Sequence, residues 1–147
     1  MLPFVFEFLI YSGALVFAAY VDIRKHEIPN TAYLLLLLPP AALCVQNRFA
    51  ALGGMLLGAA AAGTPLLVAA LVSDGIGGGD GKLAFCAGLM LSWIGSLTAL
   101  ILSLLLFLIG SSLVRAVKKY RHRAFAMGPY IAVGFTAVFV LQHFIIP

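Results

Sequence analysis

Charged residues are scarce in this sequence. Only 10% of its 147 residues are charged and 63% are hydrophobic, with a mean hydropathy of +1.12. Soluble domains have roughly 25% charged residues, and about half of their residues are apolar. Because so little polar surface cannot cover a water-soluble globule, the composition excludes a soluble domain and predicts an integral membrane protein.

Cysteine and other metal ligands are also few. Cys44 and Cys86 lie far apart in apolar runs and form no CxxC pair, so neither zinc binding nor redox chemistry is predicted. No metal and no cofactor is therefore expected. The opening stretch MLPFVFEFLIY lacks both a basic region and a small-residue cleavage site, which argues against a removable signal sequence.

Long apolar runs are what the sequence has instead. A membrane span takes about 20 residues, and six runs reach or approach that length. The second and fourth runs are short and are expected to include flanking residues. Brief connections predict an all-α integral membrane protein, a six-transmembrane-helix bundle in a single domain over residues 1–147, with no soluble domain. The runs cover approximately residues 4–20, 31–45, 50–72, 83–93, 96–114 and 128–146.

The basic residues predict which side of the membrane each connection faces. With six spans, eight Lys and Arg residues fall on one side and only Arg48 falls on the other. By the positive-inside rule, the basic side is cytoplasmic and both termini lie outside. The net charge of +4 fits this topology and an attraction to anionic membrane lipids, and it requires no nucleic-acid partner. The eight residues are Arg24, Lys25, Lys82, Arg115, Lys118, Lys119, Arg121 and Arg123.

Two of the five acidic residues lie at the ends of predicted spans. Asp22 ends the first run and Asp80 opens the fourth, so the topology places both at the cytoplasmic edge of the bilayer. An ionisable residue there is a candidate functional residue; the alternative is that each aspartate caps a helix at the water boundary. Two carboxylates that share a site do not both ionise readily, and aspartic peptidases use such a pair to activate water.

A glycine-rich stretch, SDGIGGGDGKLAFCAG, surrounds the second aspartate. It is predicted to form a flexible active-site loop before the fourth helix, with glycines free to adopt positive φ. Such a loop would bring Asp80 to Asp22. A phosphate-binding loop is excluded, because Ile76 and Leu83 stand where that motif needs glycine and Ser or Thr.

Three ordered motifs resemble those of the type IV prepilin peptidase family, which are membrane aspartic peptidases with a GxGD signature. GGGDGKL matches GxGD-x-K-L, and DIRKHEIPN is similar to the segment that carries the first aspartate. FAMGPYIAVG is similar to a late segment that opens the last span, although Ala124 replaces the usual proline there.

This resemblance implies a function and a set of site residues. Asp22 and Asp80 would be the catalytic dyad of an aspartic endopeptidase in a prokaryotic cytoplasmic membrane. The enzyme would remove the leader of a prepilin-like protein substrate at the cytoplasmic face. The other residues of the active-site loop would be Gly77, Gly78, Gly79 and Lys82.

The chain departs from longer family members and leaves some roles open. It has no region with CxxC pairs, so it resembles the short, peptidase-only members of tight-adherence pilus and preflagellin systems, and methyl transfer is not expected. Asp74 and Glu27 are candidates for binding a basic prepilin leader, with an ordinary loop or cap role as the alternative. Gly128 and Pro129 are interpreted as a helix start rather than as catalytic groups.

The helix ends suggest how the two aspartates share the chemistry. Asp80 begins a predicted helix and Asp22 ends one, and the helix dipole favours a negative charge at the beginning by about 0.3–1 kcal/mol. Asp80 is therefore predicted to be the ionised base and Asp22 the protonated acid.

The alternative function is a small proton-coupled membrane transporter or transport subunit. Its acidic residues would relay protons and would lie nearer the middle of the bilayer, often within two related halves. In this chain the two aspartates lie at one predicted face, and the halves do not match. The peptidase function is therefore preferred.

Overall fold

The computed structural model describes residues 2–46, 50, 52–72, 77–117 and 126–144. Every regular element within those ranges is an α-helix, and there are six of them, which confirms the predicted all-α class. The helices are α1 (Leu2–Lys25), α2 (Asn30–Gln46), α3 (Leu52–Val72), α4 (Gly78–Gly88), α5 (Trp93–Val117) and α6 (Gly128–Phe144).

Three of the six helices are long and apolar enough to cross a membrane. They are the ones that contain Val5–Lys25, Leu52–Val72 and Trp93–Val114, with mean hydropathies of 1.6, 2.1 and 2.5. Much of their apolar surface faces outward: Leu71 on α3 is 87% exposed and Leu108 on α5 is 62% exposed. Side chains of that kind need lipid rather than water around them, so the chain is a membrane protein.

The fourth helix differs from the predicted fourth span. Instead of covering residues 83–93, α4 begins at Gly78 and ends at Gly88. Its 11 residues measure about 16 Å at 1.5 Å per residue, well short of a hydrocarbon core of roughly 30 Å. The helix ends in a tightened turn, where the N–H groups of Met90 and Leu91 donate to carbonyls three residues earlier. Trp93 then begins α5.

Helices α3 and α4 pack antiparallel through small residues. A Cβ atom added at Gly63 would lie 2.6 Å from the Cβ of Phe85, and one added at Gly88 would lie 2.6 Å from the carbonyl oxygen of Gly58. Small residues let two backbones approach this closely inside a membrane. We call the glycines of this contact, Gly58, Gly63, Gly81 and Gly88, the small-residue interface.

Helix α6 closes the bundle against α1 and α5. The buried ring of Tyr11 on α1 stacks on Phe139 of α6, with ring centroids 4.8 Å apart. The Tyr11 hydroxyl donates to the carbonyl oxygen of Ala87 on α4, at 3.0 Å. One buried tyrosine therefore joins three helices in the core.

Helix α1 ends just after the first candidate aspartate. His26 has a left-handed φ of 53°, and its N–H donates to the carbonyl oxygen of Asp22 at 2.9 Å. A left-handed residue with such a bond is a common way to end a helix. Chain direction then changes, and α2 begins at Asn30 after Pro29, one residue before the second predicted apolar run.

Candidate active site

A polar cavity of about 400 Å³ opens where the end of α1 meets the beginnings of α2 and α4. Both candidate catalytic aspartates line it, so the structure brings together two residues that are 58 positions apart in the sequence. The lining residues are Asp22, His26, Glu27, Ile28, Asn30, Tyr33, Gly77, Gly78, Gly79, Asp80 and Lys82.

Both candidate aspartates are buried. Asp22, in the last turn of α1, is 6% exposed, and Asp80, in the first turn of α4, is 8% exposed. A buried carboxylate is costly unless polar groups or a functional partner accompany it. The cavity therefore combines polar lining residues with a pair of buried carboxyl groups, which are candidates for acid–base chemistry.

Asp22 has a hydrogen-bond partner that the sequence did not predict. The backbone N–H of Gly128, the first residue of α6, donates to Oδ2 of Asp22 at 2.8 Å in a buried setting. A Cβ atom at position 128 would lie 2.7 Å from that oxygen, so only glycine leaves room for the bond. Gly128 is a helix start, as predicted, and it is also part of the site.

This contact bears on which aspartate is the base and which is the acid. The prediction considered only the helix that carries each aspartate, which put Asp22 at an unfavourable helix end. In the structure, Asp22 also lies at the beginning of α6 and accepts a charge-assisted hydrogen bond there, and both effects stabilise a negative charge. Asp22 therefore has a stabilising contact that the helix-end argument did not include, and which of the two aspartates acts as the base stays a prediction.

The glycines before Asp80 leave room around it without adopting positive φ. Gly77 is extended, with φ −70° and ψ 133°, and no glycine among the described residues has a positive φ. A Cβ atom at Gly77 would lie 3.3 Å from Oδ2 of Asp80, one at Gly79 would lie 3.3 Å from the Tyr33 hydroxyl, and one at Gly78 would meet nothing within 4 Å. The close neighbours of Gly77 and Gly79 suggest a steric reason for the GxG spacing, since neither glycine has a positive φ.

Three glycines of the predicted glycine-rich loop lie in helix α4. Gly78, Gly79 and Gly81 belong to α4 rather than to a loop, because the helix begins before Asp80. The Asp80 N–H donates to the Gly77 carbonyl oxygen at 3.0 Å, which forms the first turn. Asp74, a predicted substrate-binding residue, lies outside the described residues, as do residues 73, 75 and 76.

The other predicted site residues lie at the rim of the cavity. Lys82 and Glu27 both line it and are exposed, which leaves them accessible to a substrate. Within the part of the chain that the structure describes, no group of three or more His, Cys, Asp or Glu side chains could hold a metal ion. That the chemistry proceeds without a metal or cofactor stays a prediction.

Tyr33 is a cavity residue that the sequence interpretation missed. Its hydroxyl donates to the carbonyl oxygen of Gly79 at 3.2 Å. The available signal was its position on α2, one helical turn after Asn30, which places both residues on one face. An isolated tyrosine in an apolar run did not stand out without knowledge of which helix it would contact.

Comparison with known proteins supplies an independent finding. A family model described as the type IV leader peptidase family matches residues 9–112, more than half of the chain. This match includes Asp22 and Asp80 and ends before α6. None of the curated proteins and none of the solved structures matches the chain.

Proposed function

The chain belongs to the type IV leader peptidase family, and from that membership we propose a specific reaction for it. It is a membrane-embedded aspartic endopeptidase that removes the leader peptide from prepilin-like proteins. The observation that carries this proposal is the polar cavity, which two buried aspartates from distant parts of the chain line together. No observation favours the transporter alternative.

Water activation by the Asp22/Asp80 dyad accounts for the chemistry. One carboxylate removes a proton from water as the water oxygen attacks the carbonyl carbon of the scissile peptide bond. The protonated partner hydrogen-bonds to the carbonyl oxygen and gives it a proton. Breakdown of the tetrahedral intermediate then cleaves the C–N bond: the leaving nitrogen takes the proton that the first carboxylate removed from water, and a hydroxyl of the intermediate returns a proton to the second carboxylate.

The hydrogen bond from Gly128 supports a role for each carboxylate. Asp22 acts as the base, because the N–H of Gly128 stabilises its negative charge. Asp80 then carries the shared proton and polarises the scissile carbonyl. This assignment says which of the two carboxyl groups holds the one proton that the reaction requires.

The direction of the helices supports a cytoplasmic position for the cavity. Helix α1 ends at the cavity, and α2 and α4 begin there. Helix α6 also begins there, because its first residue, Gly128, contacts Asp22. The beginning of α1 and the end of α6 therefore point to the opposite face. Arg24 and Lys25 lie beside the cavity at the end of α1. By the positive-inside rule, this face is cytoplasmic and both termini lie outside, in the cytoplasmic membrane of a prokaryote.

Substrate selection is assigned to the rim of the cavity. Glu27 is exposed there and would attract the basic residues of a prepilin leader, and Asp74, close in sequence to the glycines, is a second candidate. Lys82 at the same rim opposes this charge and would help to orient the substrate chain. The chain carries no CxxC region, which the resemblance links to methyl transfer, so methylation of the new N-terminus is not expected.

Co-expression with a candidate prepilin from the same genome tests the proposal. Wild type, Asp22→Asn and Asp80→Asn are compared, with Glu7→Gln as the matched control because Glu7 is an acidic residue of α1 outside the cavity. Processing by wild type and control is expected, with a loss of about 100-fold or more in both aspartate variants. Gel mobility and mass spectrometry of the pilin report cleavage, the cut position and the absence of methylation.

Two outcomes would contradict the proposal. Processing that persists in either aspartate variant at equal membrane abundance would exclude the dyad. Failure of wild type to process any pilin-type candidate, in membranes where the chain is folded, would exclude this substrate class.

A further inference from the structure

Two tyrosine hydroxyls hold helix α4, one at each end. The Tyr33 hydroxyl on α2 donates to the carbonyl oxygen of Gly79 at 3.2 Å, and the Tyr11 hydroxyl on α1 donates to that of Ala87 at 3.0 Å. The two bonds are chemically alike, but their surroundings differ. Tyr11 is fully buried in the core, whereas Tyr33 lines the polar cavity.

The Gly79 carbonyl belongs to the peptide unit that carries Asp80. Its C–N bond is the one that joins Gly79 to Asp80, and the peptide unit is planar. The same unit donates its N–H to the Gly77 carbonyl oxygen at 3.0 Å. A hydrogen bond to the Gly79 oxygen therefore fixes the plane from which the Asp80 side chain projects.

The three glycines that precede Asp80 make few side-chain contacts. Gly77, Gly78 and Gly79 have no side chains that could pack against a neighbour, and a Cβ atom at Gly78 would meet nothing within 4 Å. The nearest apolar group to Gly79 is Ile28, whose side-chain atoms would lie 3.7 and 3.8 Å from an added Cβ. Polar contacts to the backbone of these glycines therefore contribute to the orientation of the peptide unit before Asp80.

We propose that Tyr33 is a positioning residue for the leader peptidase reaction. Its hydroxyl, by binding the Gly79 carbonyl, holds the Gly79–Asp80 peptide so that the Asp80 carboxyl group faces the cavity that it shares with Asp22. Tyr33 neither attacks nor donates a proton to the substrate in this role. This inference rests on the proposed function and extends it to a residue of α2.

A matched pair of variants tests the proposal with the full-length protein in detergent or liposomes. Tyr33→Phe and Tyr11→Phe each delete one hydroxyl and one hydrogen bond to a carbonyl of α4, and each keeps the ring. We expect Tyr33→Phe to lower kcat about 5- to 10-fold with KM within twofold of wild type. Tyr11→Phe should keep kcat within twofold and lower the thermal unfolding midpoint more than Tyr33→Phe does.

Hydrogen exchange gives a readout that does not depend on cleavage. Loss of the Tyr33 hydroxyl should speed exchange of the backbone amides in the first turn of α4, around Asp80, while Tyr11→Phe leaves those amides unchanged.

A second control is a double-mutant cycle with Gly79→Ala. The added Cβ would lie 3.3 Å from the Tyr33 hydroxyl, so it should lower kcat less in the Tyr33→Phe background than in wild type.

The outcomes separate this inference from the proposed function. Wild-type kcat and unchanged exchange in Tyr33→Phe would overturn the positioning role, while inactivity of Asp80→Asn in the same assay would leave the dyad intact. Equal losses of activity and unfolding midpoint in both tyrosine variants would assign Tyr33 to general stability and also overturn it. Full activity of Asp80→Asn, or no cleavage by folded wild type, would overturn the proposed function and the positioning role with it.

Discussion

Glycine serves different purposes at the small-residue interface and at the cavity. At the interface, a Cβ atom on Gly88 would meet the backbone of Gly58 and Ala59, at 2.6 Å and 3.0 Å. At the cavity, a Cβ atom on Gly128 would meet the side-chain carboxyl group of Asp22. Replacing glycine by a residue with a side chain therefore displaces a helix at Gly88 and the carboxyl group of Asp22 at Gly128.

This difference separates residues that make the fold from residues that make the site. Backbone atoms at the small-residue interface cannot move without moving the whole of α3 or α4, whereas a carboxyl group can turn away by rotation about its side-chain bonds. We therefore expect substitutions at the interface to reduce the amount of folded protein. Substitutions at the cavity should reduce the rate of cleavage by protein that is still folded.

The largest expected effect is that of Gly88→Val at the small-residue interface. A valine side chain would have to force α3 and α4 apart, because the atoms nearest to its Cβ are backbone atoms. Overpacking of this kind should lower the free energy of unfolding by about 3 kcal/mol or more. Membrane abundance and the monodisperse fraction after detergent extraction measure the effect.

A glycine on the same helix pair provides the control for that variant. Gly53 lies on α3, and a Cβ atom there would meet nothing within 4 Å. Gly53→Val should therefore accumulate to wild-type levels and unfold at nearly the wild-type temperature. If Gly88→Val behaved in the same way, the close approach of α3 and α4 would be wrong.

The second expected effect is that of Gly128→Ala at the cavity. The added methyl group would lie 2.7 Å from Oδ2 of Asp22, closer than van der Waals contact allows, so the carboxyl group must turn and the hydrogen bond to the backbone is lost. We expect cleavage to slow by about 100-fold, because a misplaced catalytic group costs a factor of that order. Protein abundance and the unfolding midpoint should change little.

The control for Gly128→Ala is a glycine on the helix that carries Asp22. Gly13 lies on α1, and a Cβ atom there would meet nothing within 4 Å. Gly13→Ala should cleave at the wild-type rate. Cleavage by Gly128→Ala within twofold of this control would show that the contact with Asp22 is dispensable.

The two regions also differ in how well the sequence predicts them. Helix positions and the pair of aspartates follow from properties that are local in the chain, such as apolar runs, basic connections and the two motifs around Asp22 and Asp80. Contacts between distant segments do not. Gly128 and Asp22 are 106 positions apart, and no local pattern indicates that the beginning of α6 donates to the end of α1.

The fourth helix shows the same limit in its boundaries. Apolar content placed its beginning near Leu83, because glycine has a low helix propensity and Gly77–Gly79 resembled a loop. In the structure the helix begins at Gly78, where packing against α3 and the polar contacts of the first turn outweigh that propensity. The beginning of α4 could not be predicted from the sequence, because it depends on which helices pack against these glycines.

The smallest expected effect compares two adjacent glycines, Gly77 and Gly78, in one motif. A Cβ atom at Gly77 would lie 3.3 Å from Oδ2 of Asp80, and one at Gly78 would lie in open space. A shift of a few tenths of an ångström relieves the first contact, so Gly77→Ala should lower kcat only several-fold, by roughly 1 kcal/mol in the barrier. Gly78→Ala should lower it less, and both should keep the wild-type unfolding midpoint.

The order of these two effects matters more than their size. If space around Asp80 governs the motif, the position with a contact must be the more sensitive one. If freedom of the backbone governed it instead, alanine would be equally harmful at both positions, because both lose the same conformational freedom. Equal losses of kcat in Gly77→Ala and Gly78→Ala would therefore favour backbone freedom, and a larger loss in Gly77→Ala would favour the steric explanation.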